Sequence, residues 1–120
     1  MGAQKKAAAP EDTVALYEKL VATNPQVELK GAANPYTSLN GNMFSYLHPS
    51  GKVALRLPEQ ERETFLKDHK TTLFEAYGVV QKEYVTVPDA LLKKTGELQR
   101  YFDISFAYAQ SLKAKPTKKK

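Results

Sequence analysis

Hydrophobic and polar positions alternate with a period of two from Lys52 to Leu57, where Val53, Leu55 and Leu57 interleave with Lys52, Ala54 and Arg56. That alternation predicts a strand with one buried face. Upstream, Asn42 to His48 carries apolar residues at nearly every position. Met43, Ser45 and Leu47 are expected on one face, and Phe44, Tyr46 and His48 on the other. A strand apolar on both faces belongs inside a sheet rather than at its edge. Asn40-Gly41 precedes the first run and Pro49-Ser50-Gly51 separates the two, so residues 40–57 are expected to form a hairpin.

The remaining pattern places elements around this hairpin. Val14, Tyr17, Leu20 and Val21 recur at helical spacing from Asp12 to about Ala22, and Asn24-Pro25 ends that helix. Val27 to Lys30 reads as a short strand, closed by Gly31, and Tyr36 to Leu39 as another. Pro58 and the acids after it open a helix to about Asp68, with Phe65 and Leu66 inward. Residues 71–78 read as a connector whose Phe74 and Tyr77 tuck against the sheet. Gln81 to Val87 is a strand and Asp89 to Lys94 a short helix. Thr95-Gly96 is expected to break the chain before a final helix, Glu97 to Lys113. Leu98, Tyr101, Phe102, Ser105, Tyr108, Ala109 and Leu112 form its stripe, leaving Ile104 and Phe106 off it. Strands joined by tight turns, with helices between groups, predict an α+β fold: two layers, an antiparallel sheet of about five strands with helices on one face.

Composition bounds the class. A chain of 120 residues with 42% hydrophobic and 26% charged positions fits one globular domain, expected over residues 11–113, between a disordered leader (1–10) and a lysine-rich tail (114–120). The net charge of +5 suggests nucleic acid until its location is considered. Seven of the 18 basic residues lie at the two ends, and all 13 acidic ones lie between Glu11 and Asp103, so the body carries −2. A nucleic-acid face needs cations on the folded surface. No apolar run approaches the ~18 residues of a membrane span, and the N-terminus lacks a signal-peptide core. The absence of cysteine removes disulfides and thiolate chemistry and fits a cytoplasmic protein.

Candidate chemistry is sparse. His48 and His69 are the two histidines, too few and wrongly spaced for a metal site. His48 with Ser50 suggests a base beside a hydroxyl, but no G-x-S-x-G elbow surrounds them. Glu59, Glu61 and Glu63 alternate around a helix and form no acid pair. No glycine pattern cradles a phosphate. The sequence therefore predicts neither an enzyme nor a cofactor. The features left are a possible interaction surface, Met43, Phe44, Tyr46, Lys52, Arg56 and Tyr84, and a possible anion contact, Lys30, Lys52, Arg56 and Lys82.

Four segments in order are similar to a known family: Asn40-Gly41-Asn42-Met43-Phe44-Ser45, Leu55-Arg56-Leu57-Pro58-Glu59, Glu83-Tyr84-Val85-Thr86-Val87-Pro88, and a helix ending Tyr108 to Pro116. Together they resemble the TfoX N-terminal domain family across residues 11–116. Lys30-Gly31 matches that family's KMFGG segment, and its Met-Phe pair is missing. A looser resemblance is to the YdhG-like family. The TfoX resemblance implies a secretion-chaperone-like fold and a non-enzymatic regulatory or protein-binding role, with a regulatory protein as partner. The two-faced apolar hairpin adds the chain itself as a partner, in a homodimer through the sheet face that helices leave uncovered. Longer relatives carry a second domain and regulate competence; that domain is expected to be absent here. The alternative is a small nucleic-acid-associated protein using the basic tails and a sheet-face patch.

Overall fold

The computed structural model describes residues 11–31, 35–76 and 78–112. The expected leader and lysine-rich tail, and Tyr77 of the expected connector, lie outside them. The order is α1 (Glu11–Ala22), β1 (Tyr36–Leu39), β2 (Asn42–Leu47), β3 (Val53–Arg56), α2 (Glu59–Asp68), β4 (Leu73–Ala76), β5 (Val79–Val87), α3 (Asp89–Leu92) and α4 (Thr95–Ser111). The five strands form one antiparallel sheet in the order β1-β2-β3-β5-β4. The fold is the expected α+β arrangement of two layers.

One face of the sheet carries the main core. Thr37, Ser45, Leu55, Val85 and Leu73 lie opposite one another across all five strands, and Leu47, Val53 and Val87 form a second row on the same side. Every helix adds to this cluster: Tyr17, Leu20 and Val21 from α1, Phe65 from α2, Leu91 and Leu92 from α3, and Leu98, Phe102 and Phe106 from α4. Two small polar residues, Thr37 and Ser45, sit where α1 crosses. The Tyr17 hydroxyl lies 2.6 Å from Ser45 Oγ, which lies 2.6 Å from Thr37 Oγ1. All three residues are fully buried, so the hydroxyls satisfy one another where water cannot. Burial pushes the Tyr17 hydroxyl pKa strongly upward.

A bulge in β2 corrects the expected facing of the hairpin. Thr37 pairs with Ser45 but Ser38 pairs with Met43, so Phe44 is an extra residue with no opposite number. The slip turns Phe44 to the same side as Ser45. Phe44 is fully buried, its ring centroid 5.7 Å from that of Phe102 and 5.9 Å from that of Phe106. Phe44 was expected on the interaction surface; it is core. Phe106, expected off the α4 stripe, is drawn in by the same contact. By alternation Met43 joins Tyr46 on the opposite face. The Asn40-Gly41 turn has the expected positive φ values, 54° and 80°.

Three other expectations shift. The segment 27–30 is no strand; it makes a single bridge, Lys30 to Tyr36, because Pro25 and Gly31 leave no length for a ladder. The expected connector contains β4, which pairs with β5 from Leu73–Val85 to Ala76–Val79. Thr95-Gly96 begins α4 instead of breaking the chain. The α3–α4 junction is a tight turn in which Lys94 N–H bonds Leu91 O at 2.9 Å and Leu98 N–H bonds Lys94 O at 3.0 Å.

Candidate interaction surface

Helices cover one face of the sheet, and a second, smaller cluster made only of strand residues lies on the other. Ala54 is its floor, with Phe74 and Ala76 buried and Tyr46 and Tyr84 half-buried around it. The register explains the assembly. Tyr36, Tyr46, Ala54 and Thr86 form a row across β1, β2, β3 and β5, and Arg56 pairs with Tyr84 one step along. The alanine leaves a hollow in mid-row that the neighbouring rings fill. Tyr46 meets Phe74 edge-to-face with centroids 5.4 Å apart, and Tyr84 at 5.7 Å. Such pairs add about 0.5–1.5 kcal/mol each beyond area burial.

The Tyr46–Phe74 contact requires a curled sheet. Their strands are separated by β3 and β5, so a flat sheet would hold the backbones about 14 Å apart. The pairing of β4 with β5 jumps from Leu73–Val85 to Phe74–Gln81, leaving residues 82–84 of β5 unopposed. This irregularity bends β5 and brings Phe74 toward β2. His48 extends the cluster, its ring 5.6 Å from that of Phe74.

Arg56 is the hub at the end of the cluster. Its Nε donates to Glu83 Oε1 at 2.7 Å and its Nη2 lies 2.6 Å from the same oxygen. Nη1 reaches the Met43 carbonyl at 3.4 Å, which also accepts from the Tyr84 hydroxyl at 2.7 Å. The guanidinium lies 5.9 Å from the Tyr84 ring centroid and 5.7 Å from that of Tyr108, whose hydroxyl donates to Glu83 Oε2 at 3.2 Å. The hub thus ties β2, β3, β5 and α4 together.

Burial alone would raise the Glu83 pKa. The hydrogen bond and charge of Arg56, with the Tyr108 hydroxyl and the charge of Arg62, outweigh it and hold the carboxyl below its ordinary value of 4.5. A depressed folded pKa contributes stability that is present above the unfolded value and is lost as pH falls through the folded one. We therefore expect the urea midpoint to fall from pH 5 downward more steeply for the wild-type chain than for Glu83→Gln. Parallel pH profiles of the two proteins would remove Glu83 as the source.

The residues singled out from sequence separate into groups. Met43, Tyr46, Arg56 and Tyr84 come together on the uncovered face. Phe44 does not. Lys52, at the other end of β3, forms an exposed pair with Asp89 at 3.4 Å, of a kind worth little. The four cations named as an anion contact do not converge. Lys30 donates to Ser38 Oγ at 3.0 Å beside β1, Arg56 is held by Glu83, and Lys82 is exposed on the unopposed stretch of β5. Lys30 and Lys82 have β1, β2 and β3 between them. Ala54, Phe74 and Ala76 complete the cluster without standing out in the sequence, where the small Ala54 amid β-formers is the one signal.

His48 and Ser50 do meet, with Nδ1 2.9 Å from Ser50 Oγ, but the Ser50 backbone N–H also points at Nδ1, at 3.1 Å. The imidazole is an acceptor that shapes the 48–52 turn, closed by His48 N–H to Lys52 O at 2.8 Å. His69, at the C-terminal end of α2, packs on Phe65 and Tyr101 and borders an open recess of about 210 Å³ shared with Pro88, Ala90, Leu91, Lys94 and Glu97. Among the described residues, no group of three or more His, Cys, Asp or Glu is placed to hold a metal ion. No helix among them is long and apolar enough to cross a membrane. No protein-family model matches the chain, and no curated protein or solved structure is found similar to it.

Proposed function

We propose that this chain is a non-enzymatic protein-binding module that presents its uncovered sheet face, centred on Tyr46 and Tyr84, to a partner protein. One observation carries the reading: every helix packs on the same face, while the other holds an aromatic cluster of strand residues alone. Tyrosines supply large, rigid, amphipathic contact area of the kind enriched in protein interfaces. The charged groups at the cluster's edge, Arg56 and Glu83, are satisfied by each other, which suits a surface that recognises shape more than a reactive centre. The resemblance to the TfoX N-terminal domain adds a regulatory role in the cytoplasm to this proposal. The two-layer α+β fold is the architecture that the resemblance implies.

The test is capture of partners by immobilised wild-type protein, by Tyr46→Glu, and by Glu63→Arg as a control on the exposed side of α2. The expected result is a partner retained by the wild type and by Glu63→Arg and lost with Tyr46→Glu. Retention by all three proteins would refute the assignment of this face. Single-stranded DNA, tested by fluorescence anisotropy at low salt, is expected to give no change that depends on Tyr46 or Tyr84.

A further inference from the structure

Strand β5 is longer than its inner neighbour. Its last four residues pair with β3, and Leu57 N–H reaches Glu83 O at 3.0 Å, after which Pro58 carries the chain into α2. From Val79 to Gln81, β5 has β4 on one side and, among the described residues, no strand on the other. The closing rung of the β4–β5 ladder fixes which backbone groups face that vacancy. Ala76 and Val79 form this rung with only two residues between them in sequence, so they are the pair that exchanges both hydrogen bonds. Alternation makes Glu75 and Val80 the next, unbonded pair, with the N–H and C=O of Val80 directed away from β4. Val79 and Val80, 59% and 48% exposed, are the two exposed large hydrophobics among the described residues. A protruding apolar strand edge of this kind is a template for another strand.

We propose that this edge pairs antiparallel with the same edge of a second copy of the chain, with a two-fold axis passing beside Val80. Chain geometry and hydrogen bonding select the register. Only outward-facing residues can exchange hydrogen bonds, so Val80 can lie opposite the partner's Val80 or the partner's Lys82. The register with Val80 opposite the partner's Lys82 is centred on Gln81 and sets Val79 opposite the partner's Glu83, whose carbonyl already accepts from Leu57 N–H. The register centred on Val80 sets valine on valine, Val79 on the partner's Gln81, and Lys82 on the partner's Gly78. Gly78 stands in open space, with nothing within 4 Å of where a Cβ would be. The lysine chain therefore has room and meets no like charge. The same pairing covers the Val79 and Val80 side chains on both faces. Two-fold self-pairing is the commonest way in which a soluble chain closes such a surface. This association uses an edge, so it stands independently of the partner site on the sheet face.

Sedimentation equilibrium over a concentration series tests it. The wild-type chain is expected to show reversible monomer–dimer exchange with a Kd tighter than about 1 mM. Val80→Lys keeps the backbone and places two ammonium groups across the axis; it is expected to weaken the dimer by at least about tenfold. Val80→Pro removes the N–H at a position where an edge strand tolerates proline and is expected to act in the same direction. An unchanged circular dichroism spectrum confirms that each variant is folded, and concentration-dependent protection of the Val80 amide from hydrogen exchange in the wild type is the matching local signal. A wild-type chain that stays monomeric to about 1 mM, or a folded Val80→Lys protein that dimerises as tightly as the wild type, overturns the proposal.

Discussion

Replacing Phe44 by alanine is expected to destabilise the fold by about 3–5 kcal/mol, the range for truncating a fully buried aromatic ring. Phe44 is the point where the bulged strand meets α4, packed against both Phe102 and Phe106. Its removal strands two rings on the helix side, and a core already filled at native density leaves little to close over the gap. Met43→Ala is the control. Met43 is half-buried, and its carbonyl, which the substitution keeps, makes its specific contacts. We expect it to cost under about 1.5 kcal/mol, below the range for a fully buried methionine. Urea midpoints for the two variants check the pair. Equal losses would mean that the strand alternates without a bulge.

The second large effect belongs to Arg56. Arg56→Met keeps much of the volume and removes the charge, so Glu83 loses its counter-ion, and the Met43 carbonyl and the Tyr84 and Tyr108 rings lose a neighbour. Stranding one member of a fully buried pair costs about 3–5 kcal/mol. Here the Arg56 side chain is 16% exposed but that of Glu83 is 39% exposed, so solvent screens part of the interaction. We expect a loss of about 1–3 kcal/mol, typical of a hydrogen bond to a charged group. Glu83→Gln made in the Arg56→Met background should then cost less than in the wild type, with a coupling of about 0.5–2 kcal/mol in a double-mutant cycle. Strict additivity would show that the ion pair contributes nothing of its own.

Much of this fold is legible in the sequence. The Asn40-Gly41 turn, the alternation of Val53, Leu55 and Leu57, and Pro58 opening α2 each state their structure locally. The misplacements share one cause, the dependence of local pattern on distant packing. Residues 42–47 are apolar on both sides, so a one-residue slip leaves no trace in their periodicity; only the contact with Phe102 and Phe106 reveals it. Leu73 to Ala76 contains no β-branched residue, and its strand exists because β5 offers an edge and Tyr46 a ring for Phe74. Val27 to Lys30 has the alternation of a strand but only Tyr36 to pair with.

The surface was partly legible for the same reason. Tyr46, Arg56 and Tyr84 stand out as aromatic and cationic positions on strands, and their convergence follows from register. Ala54 and Phe74 gain their part only through the curl of the sheet, which a period-of-two reading treats as flat. The anion patch failed because sharing a strand face with a cation says nothing of the acid waiting beside it, as Glu83 waits beside Arg56.

A site-specific photocrosslink tests the central claim most directly. A photoreactive phenylalanine analogue is placed at Tyr46 on the uncovered face and, in a second protein, at Glu63 on the exposed side of α2. Both proteins are irradiated with the captured partner and the adducts are mapped by mass spectrometry. The expected result is a partner adduct from position 46 and none from position 63. Adducts from position 63 alone would contradict the assignment of the sheet face as the interaction surface.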